Sequence, residues 1–104
     1  MSSSLPVKVT PRARREIRQA SSWWAEHRTN APHALRDDVQ RAFETLSRHP
    51  LIGPPATNEK LAGVRRLHLK RIRYYLYYRV KDDPQRVEIL ALWHTSRGTG
   101  PDLG

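Results

Sequence analysis

A run of cationic side chains, followed closely by tyrosines, stands out in this 104-residue chain. Residues 60–73 contain six lysine or arginine residues and one histidine, and no acidic residue interrupts them. Tyr75 and Tyr77 follow almost at once. Cationic groups neutralise phosphates and aromatic rings stack on bases, so this composition favours a surface that binds RNA or DNA.

The same region supplies the groups that a metal-independent cleavage of RNA would require. Such a reaction activates a ribose 2′-hydroxyl, stabilises the charge that develops around phosphorus and protonates the leaving oxygen. His94 could transfer the protons, because histidine titrates near neutral pH without perturbation. The other candidates are three arginines for the phosphate and two tyrosines for a base, namely Arg65, Arg73, Arg97, Tyr75 and Tyr77.

A protein that only recognises its target needs no catalytic group. The same side chains would then form a recognition surface of Arg65, Arg66, Arg73, Tyr75, Tyr77, His94 and Arg97. Structural roles also stay open: His94, at the end of a predicted strand, could hydrogen-bond nearby backbone, and Arg97 could be an exposed charge beyond that strand. Arg65 and Arg66 are consecutive, so they face opposite sides of a strand, and one of them packs its aliphatic stem near the core.

The overall composition limits the class of protein. A formal net charge of +9 favours an anionic partner, which could be nucleic acid, an acidic protein or a membrane surface. Every apolar run is too short to span a membrane, and the first residues lack an apolar segment of signal-peptide length. The absence of cysteine excludes disulfides and a thiol nucleophile. We therefore expect a cytoplasmic protein that uses no metal and no cofactor.

Alternating side chains predict the sheet that would position these groups. In residues 72–80, Leu76 and Tyr78 point to one side and Tyr75 and Tyr77 to the other. This period of two among β-branched and aromatic residues is typical of a half-buried strand. Residues 64–69 predict a strand before it, and the apolar residues 86–94 predict a strand after it that is covered on both faces. Together they predict an antiparallel β-meander over residues 64–94.

Helical spacing predicts two helices before the meander. Apolar residues recur every three or four positions in residues 11–48, and Thr10 and Pro11 are suited to the N-cap and first position of the first helix. The break at residues 29–32 is short, so the two helices must run antiparallel as a hairpin.

The predicted order is one strand, two helices and three strands, in a single domain over residues 1–104. Residues 7–9 supply the first strand, which joins the meander. Residues 50–63, rich in proline and glycine, form an irregular loop, and residues 99–104 form a flexible tail. This is an α+β fold in which a helical hairpin covers one face of an antiparallel sheet.

Four segments in this order resemble the RelE/ParE superfamily of bacterial type II toxins: HPLIGPP, GVRRLHL, RIRYYLYYRV and VEILALWHTSR. The resemblance covers residues 7–97 and implies a β-α-α-β-β-β toxin fold. The segments GVRRL, YYRV and LWHTSR are closer to the ParE branch, which poisons DNA gyrase and stabilises plasmids. The RelE branch instead cleaves mRNA on the ribosome, and its catalytic tyrosine near the C-terminus has no counterpart here, since no tyrosine follows Trp93.

The resemblance implies a toxin that a cognate acidic antitoxin neutralises in a hetero-oligomer. On the ParE-like interpretation, which we prefer, the target is DNA gyrase and no residue is catalytic. On the RelE-like alternative, the partners are the ribosome and mRNA. The protein would then be an endoribonuclease whose catalytic residues are His94, Arg65, Arg73 and Arg97.

Overall fold

Two helices cover one face of a four-stranded sheet in the computed structural model of the protein, which describes residues 4–57 and 60–103. The elements in chain order are β1 (Val7–Val9), α1 (Pro11–His27), α2 (Ala34–Arg48), β2 (Arg65–Leu69), β3 (Tyr74–Lys81) and β4 (Arg86–His94). The strand order across the sheet is β1-β4-β3-β2. The predicted α+β class and element order are confirmed. Asn58 and Glu59 of the predicted loop and Gly104 of the predicted tail lie outside the described residues.

The first strand joins the sheet in parallel, so the sheet is mixed where the sequence predicted an antiparallel one. Val7 and Val9 of β1 pair with Val87 and Ile89 of β4 in parallel, while β2, β3 and β4 are antiparallel neighbours as predicted. The alternation of two valines predicts a strand and its buried face. It does not predict the direction of that strand, which depends on how the helical hairpin returns the chain to the sheet.

Helix α1 begins as its sequence predicts. Thr10 is the N-cap, and its hydroxyl oxygen accepts a hydrogen bond from the Ala13 N–H at 3.2 Å. Pro11 occupies the first turn, where its missing N–H leaves no intrahelical bond unmade. These two devices fix the start of the helix that packs against β4.

The inner face of the sheet, which the helices cover, carries the larger core. Its fully buried side chains include Leu35, Leu46, Ile72, Leu76, Tyr78, Val87 and Ile89. The apolar stripes of the two helices predict that Trp24 and Leu46 are both buried between the hairpin and the sheet. This is confirmed for Leu46 and wrong for Trp24. Trp24 is only half-buried, because its indole N–H donates at 2.9 Å to the Ala31 carbonyl oxygen. Ala31 lies in the exposed connection between the helices.

The opposite, outer face carries a smaller core that loop residues cover. Its buried residues are Val64, Tyr77, Leu90 and Ala91. Ala56 and Leu61 of the loop after α2 pack against them. In the C-terminal segment, which was predicted to be a flexible tail, Pro101 is buried and Leu103 packs on the outer core. The segment lies against the sheet because its apolar residues remove outer-core surface from water.

A β-bulge in β4 determines which side chains near its end reach the outer face. The register with β3 shifts between Tyr77 and Tyr78, so Leu90 is an extra residue in β4. Two consecutive residues of β4 therefore pack on the outer face, and the alternation resumes after them. As a result, Trp93 faces outward and His94 faces the helices.

Candidate functional site

The strand register brings three rings into one row on the outer face. His68 of β2 pairs with Tyr75 of β3, and Tyr75 pairs with Trp93 of β4. Directly paired residues in neighbouring strands carry their side chains on the same face, about 5 Å apart. The ring centroids of His68 and Tyr75 are 5.0 Å apart. We call His68, Tyr75 and Trp93 the aromatic row.

Two guanidinium groups lie over rings of the aromatic row. Arg66 Cζ is 3.9 Å from the centroid of the Tyr75 ring, and Arg97 Cζ is 3.8 Å from that of the Trp93 ring. The Trp93 indole N–H donates to the Arg97 carbonyl oxygen at 3.1 Å, which holds the two residues together. Within residues 4–57 and 60–103, neither guanidinium has an ion-pair partner. Both positive charges are therefore uncompensated, and the N–H groups at their edges are available to a ligand.

A pocket of about 140 Å³ opens beside the aromatic row. Tyr75, Tyr77 and Trp93 contribute to its lining, together with residues 55–57 on one side and 98–100 on the other. The lining also includes Thr57, Thr95 and Thr99, whose hydroxyl groups can both donate and accept hydrogen bonds. The pocket thus offers aromatic surface and polar groups to the same ligand.

His94 lies on the inner side of the sheet, away from the aromatic row. Its ring packs edge-on against Tyr74, with centroids 5.0 Å apart, and borders a groove of about 240 Å³ between α1 and the end of β4. The Ser96 N–H donates to His94 Nδ1 at 3.1 Å, so in the neutral ring the proton is assigned to Nε2. His94 therefore has the backbone contact expected of a structural histidine at the end of a strand.

The carboxylate in this groove already has partners within the fold. Glu16 Oε1 accepts the Leu92 N–H at 3.1 Å, and Glu16 Oε2 accepts from Arg12 Nε at 3.2 Å. Tyr74 also borders the groove, and burial raises the pKa of its hydroxyl, while the nearby Arg97 opposes that rise. The described residues of the groove therefore give His94 no unpaired carboxylate with which to share a proton.

Other kinds of site are missing from the part of the chain that the structure describes. No group of three or more histidine, cysteine, aspartate or glutamate side chains there could hold a metal ion. No helix there is long and apolar enough to cross a membrane. The outer face, with its cations and rings, is the candidate surface.

Residues 7–98 match the protein family described as the ParE toxin of the type II toxin-antitoxin system parDE. This chain belongs to the ParE toxin family. The match spans most of the chain, from β1 to the residue after Arg97. No curated protein sequence matches the toxin.

Several solved structures resemble this chain. It is similar to a chain of the chromosomal ParDE system from P. aeruginosa, with a TM-score of 0.70, 21% identity, and coverage of 91% of this chain and 100% of that one. It is similar to a chain of the RelBE2 toxin-antitoxin complex from Mycobacterium tuberculosis, with a TM-score of 0.63, 33% identity, and coverage of 88% and 98%. A mutant of E. coli RelE in the free state gives a TM-score of 0.63, 16% identity, and coverage of 91% and 87%. The expected RelE/ParE-like fold is confirmed.

The seven residues predicted to bind or cleave a target do not form one surface in the toxin. Arg66, Tyr75 and Arg97 come together at the aromatic row. Arg97 also borders the groove on the inner side, where His94 lies. Arg73 is exposed in the turn between β2 and β3, with a φ of +64°.

Two of the predicted residues have structural contacts instead. Arg65 Nη1 donates to the Gly53 carbonyl oxygen at 2.7 Å, which ties the loop after α2 to β2. Tyr77 is only 2% exposed in the outer core, so most of its ring is unavailable to stack on a base. The prediction that Arg65 and Arg66 face opposite sides is confirmed, since Arg66 turns to the outer face and Tyr75.

His68 and Trp93, which complete the aromatic row, are not among the predicted site residues. The amino-acid pattern predicts a two-residue turn between β2 and β3, whereas residues 70–73 form it. Pairing outward from a four-residue turn would have placed His68 opposite Tyr75. The position of Trp93 depends on the bulge in β4, and nothing in the amino-acid pattern indicated that bulge.

Proposed function

We propose that this toxin inhibits DNA gyrase, the activity that its resemblance to the ParE branch implies. The match of residues 7–98 to the ParE toxin family supports this proposal. An inhibitor acts by binding, so it needs a recognition surface and no proton transfer. The outer face supplies such a surface, with uncompensated cations held over aromatic rings.

The observation that carries the proposal is the division of the candidate groups between the two faces. A nuclease must hold its proton-transfer group and its cations around one phosphate, within hydrogen-bond reach of the reacting atoms. Of the arginines predicted to bind a phosphate, only Arg97 lines the groove of His94. Arg65 is bound to the loop after α2. Binding requires no such assembly, because the outer face can recognise a target without His94.

We further propose that an acidic antitoxin neutralises the toxin in a cytoplasmic hetero-oligomer. Two of the similar solved structures come from toxin-antitoxin systems, ParDE and RelBE2. The net charge of +9 would attract an acidic segment that stays partly disordered until it binds. Co-expression of the neighbouring reading frame tests this, since an acidic product that co-purifies with the toxin and restores growth is the expected result.

Induction of the toxin without its antitoxin tests the target. We expect gyrase-cleaved DNA to accumulate, and we expect mRNA to stay intact in ribosome-dependent cleavage mapping. Arrested cells with intact DNA and translation-dependent mRNA cuts would contradict gyrase inhibition. The two readouts come from the same culture, so a toxin that fails to express is recognised in both.

One observation favours a second candidate function, the cleavage of mRNA on the ribosome. His68, which is not among the predicted catalytic residues, lies beside Tyr75 on the outer face, and Arg66 lies over the same ring. A histidine, a cation and an aromatic ring are thus neighbours there, and metal-independent cleavage uses a proton-transfer group together with cations. If the toxin is a nuclease of this kind, His68→Gln should reduce cleavage roughly 10²–10⁴-fold. A folded His68→Gln protein that arrests growth as before would count against this second function.

A further inference from the structure

The aromatic row has the arrangement of a platform on which successive bases stack. Its three rings come from three neighbouring strands, which lie about 4.8 Å apart in a sheet. Aromatic rings on a sheet surface stack on bases of any sequence, because every base has a π-face. His68 is exposed, and Tyr75 and Trp93 are half-buried, so the row borders solvent along its length.

The two arginines extend this platform and do not block it. A guanidinium plane that lies on an aromatic ring presents its own second face, and bases stack on guanidinium planes as well as on rings. Arg66 over Tyr75 and Arg97 over Trp93 therefore each offer a stacking surface that also carries a charge. The N–H groups at the edges of both planes can reach the phosphates on either side of a stacked base.

Arg66 and Arg97 are among the cations of the described residues that no carboxylate neutralises. Elsewhere on the sheet, Arg71 is hydrogen-bonded to Asp38 and Arg79 to Glu88, so carboxylates neutralise those cations. Arg66 and Arg97 have rings as partners, which hold the charge in place without neutralising it. Cations that no carboxylate neutralises remain available to the phosphates of a polyanion.

The pocket beside the row favours a single strand over a duplex. It is bordered by residues 55–57 and 98–100, and three threonines are among the residues that line it. Unstacked bases can enter such a pocket and bond to its hydroxyls, whereas the bases of a duplex have their faces covered by their neighbours. The geometry points to a single-stranded polynucleotide as the ligand of the aromatic row, with two or three bases stacked and two phosphates contacted by Arg66 and Arg97. This site goes beyond gyrase inhibition and does not depend on it.

The inference is tested by measuring how tightly oligonucleotides bind to the purified toxin. Fluorescence anisotropy would compare labelled oligothymidylate and oligouridylate of about 12 nucleotides with a duplex of the same length. Both single strands should bind more tightly than the duplex, and the tighter of the two identifies DNA or RNA as the source of the ligand. Equal affinity for duplex and single strand would overturn the inference, since simple charge attraction would then explain the binding.

Variants locate the binding on the molecule. Tyr75→Leu removes a ring and should weaken single-strand binding roughly 5- to 150-fold, as loss of one base stack does. Arg66→Ala should weaken binding and reduce the slope of log affinity against log salt by about 1. Arg18→Ala is the matched control, because Arg18 is exposed on α1 in the helical layer, away from the row, and its loss changes the net charge equally.

Three results of these variants would overturn the inference. They are an Arg18→Ala effect as large as that of Arg66→Ala, unchanged affinity in a folded Tyr75→Leu protein, and an unchanged salt slope in Arg66→Ala. Circular dichroism establishes that each variant is folded, and His68→Ala replaces Tyr75→Leu if that protein does not fold, since His68 is exposed. The assay contains neither gyrase nor antitoxin, so its failure and a failure of the gyrase proposal are separate results.

Discussion

Two helices cover the inner face of the sheet, whereas residues of the loop after α2 and of the C-terminal segment cover only part of the outer face. The inner core contains the largest fully buried side chains of the described residues, and Leu46 lies within it. The outer core is smaller, and the half-buried Tyr75 and Trp93 at its margin border a pocket. The inner face therefore contributes most of the stability, and the outer face is left with rings and cations that can meet a ligand.

The partners of the arginines show the same division. Arg71 donates from Nε and Nη2 to the two carboxylate oxygens of Asp38, at 3.0 and 2.6 Å, and this contact joins α2 to the turn after β2. Hydrogen bonding to Asp38 also raises the pKa of Arg71. Arg66 and Arg97 have no such carboxylate among the described residues. A count of charges cannot distinguish these two kinds of arginine, but the partner of each guanidinium does.

The largest effect on stability should come from the inner face. Leu46→Ala removes a fully buried side chain between α2 and the sheet, so we expect the free energy of unfolding to fall by ~2–5 kcal/mol. Urea denaturation followed by circular dichroism measures it. Leu51→Ala, at a position that is 64% exposed, is the control and should change stability by less than ~0.5 kcal/mol. Equal effects at the two positions would mean that the inner face is not the main core.

A smaller loss should follow from one hydroxyl group of β3. The Gly53 N–H donates to the Tyr78 hydroxyl oxygen at 2.9 Å in a buried position, so Tyr78→Phe leaves a buried N–H without a partner. We expect a loss of ~1–3 kcal/mol in the free energy of unfolding. Tyr74→Phe is the matched control, because it removes the same hydroxyl group from the same strand and the same face of the sheet. The Tyr74 hydroxyl has no hydrogen-bond partner among the described residues, so this variant should be nearly neutral, and a loss as large as that of Tyr78→Phe would contradict the assignment.

Local patterns in the sequence predicted most of the fold. The period of two in residues 72–80 placed Leu76 and Tyr78 in the core, and the N-cap signal of Thr10 placed the start of α1. These features depend on neighbours within a few residues. The direction of β1 depends instead on contacts made by distant parts of the chain, and no local pattern carries that information.

The candidate site was less predictable than the fold because it depends on register. Without the bulge at Leu90, Trp93 would share the inner face with Val87 and Ile89, and no ring would extend the row beyond Tyr75. The alternation correctly assigned Tyr77 to the outer face. It could not show that loop residues bury this ring, since that depends on how the loop after α2 packs back.

Two arginines of the outer face differ in their partners, since Arg97 lies over the Trp93 ring and Arg79 is paired with a carboxylate. Arg97→Ala should weaken growth arrest markedly and bind the target roughly tenfold less tightly, about 1.4 kcal/mol, while the fold is retained. Arg79→Ala removes the partner of Glu88, whose Oε1 is 2.8 Å from Arg79 Nε, so stability should fall by up to about 1 kcal/mol and growth arrest should persist. Growth after induction and urea denaturation measure the two effects. If Arg79→Ala abolished growth arrest and Arg97→Ala did not, the assignment of target binding to Arg97 would be wrong.

The smallest effect should be that of His94→Gln on the inner side of the sheet. His94 Nδ1 accepts the Ser96 N–H, and the amide oxygen of a glutamine can accept the same bond, so the fold and Tyr74 packing should be retained. If the toxin acts by binding gyrase, no proton is transferred at His94, and growth arrest after induction should be nearly that of the unaltered toxin. If it cleaves mRNA through His94, cleavage should fall roughly 10²–10⁴-fold in a protein that is still folded by circular dichroism. A folded His94→Gln toxin that no longer arrests growth would contradict gyrase inhibition and assign proton transfer to the groove between α1 and β4.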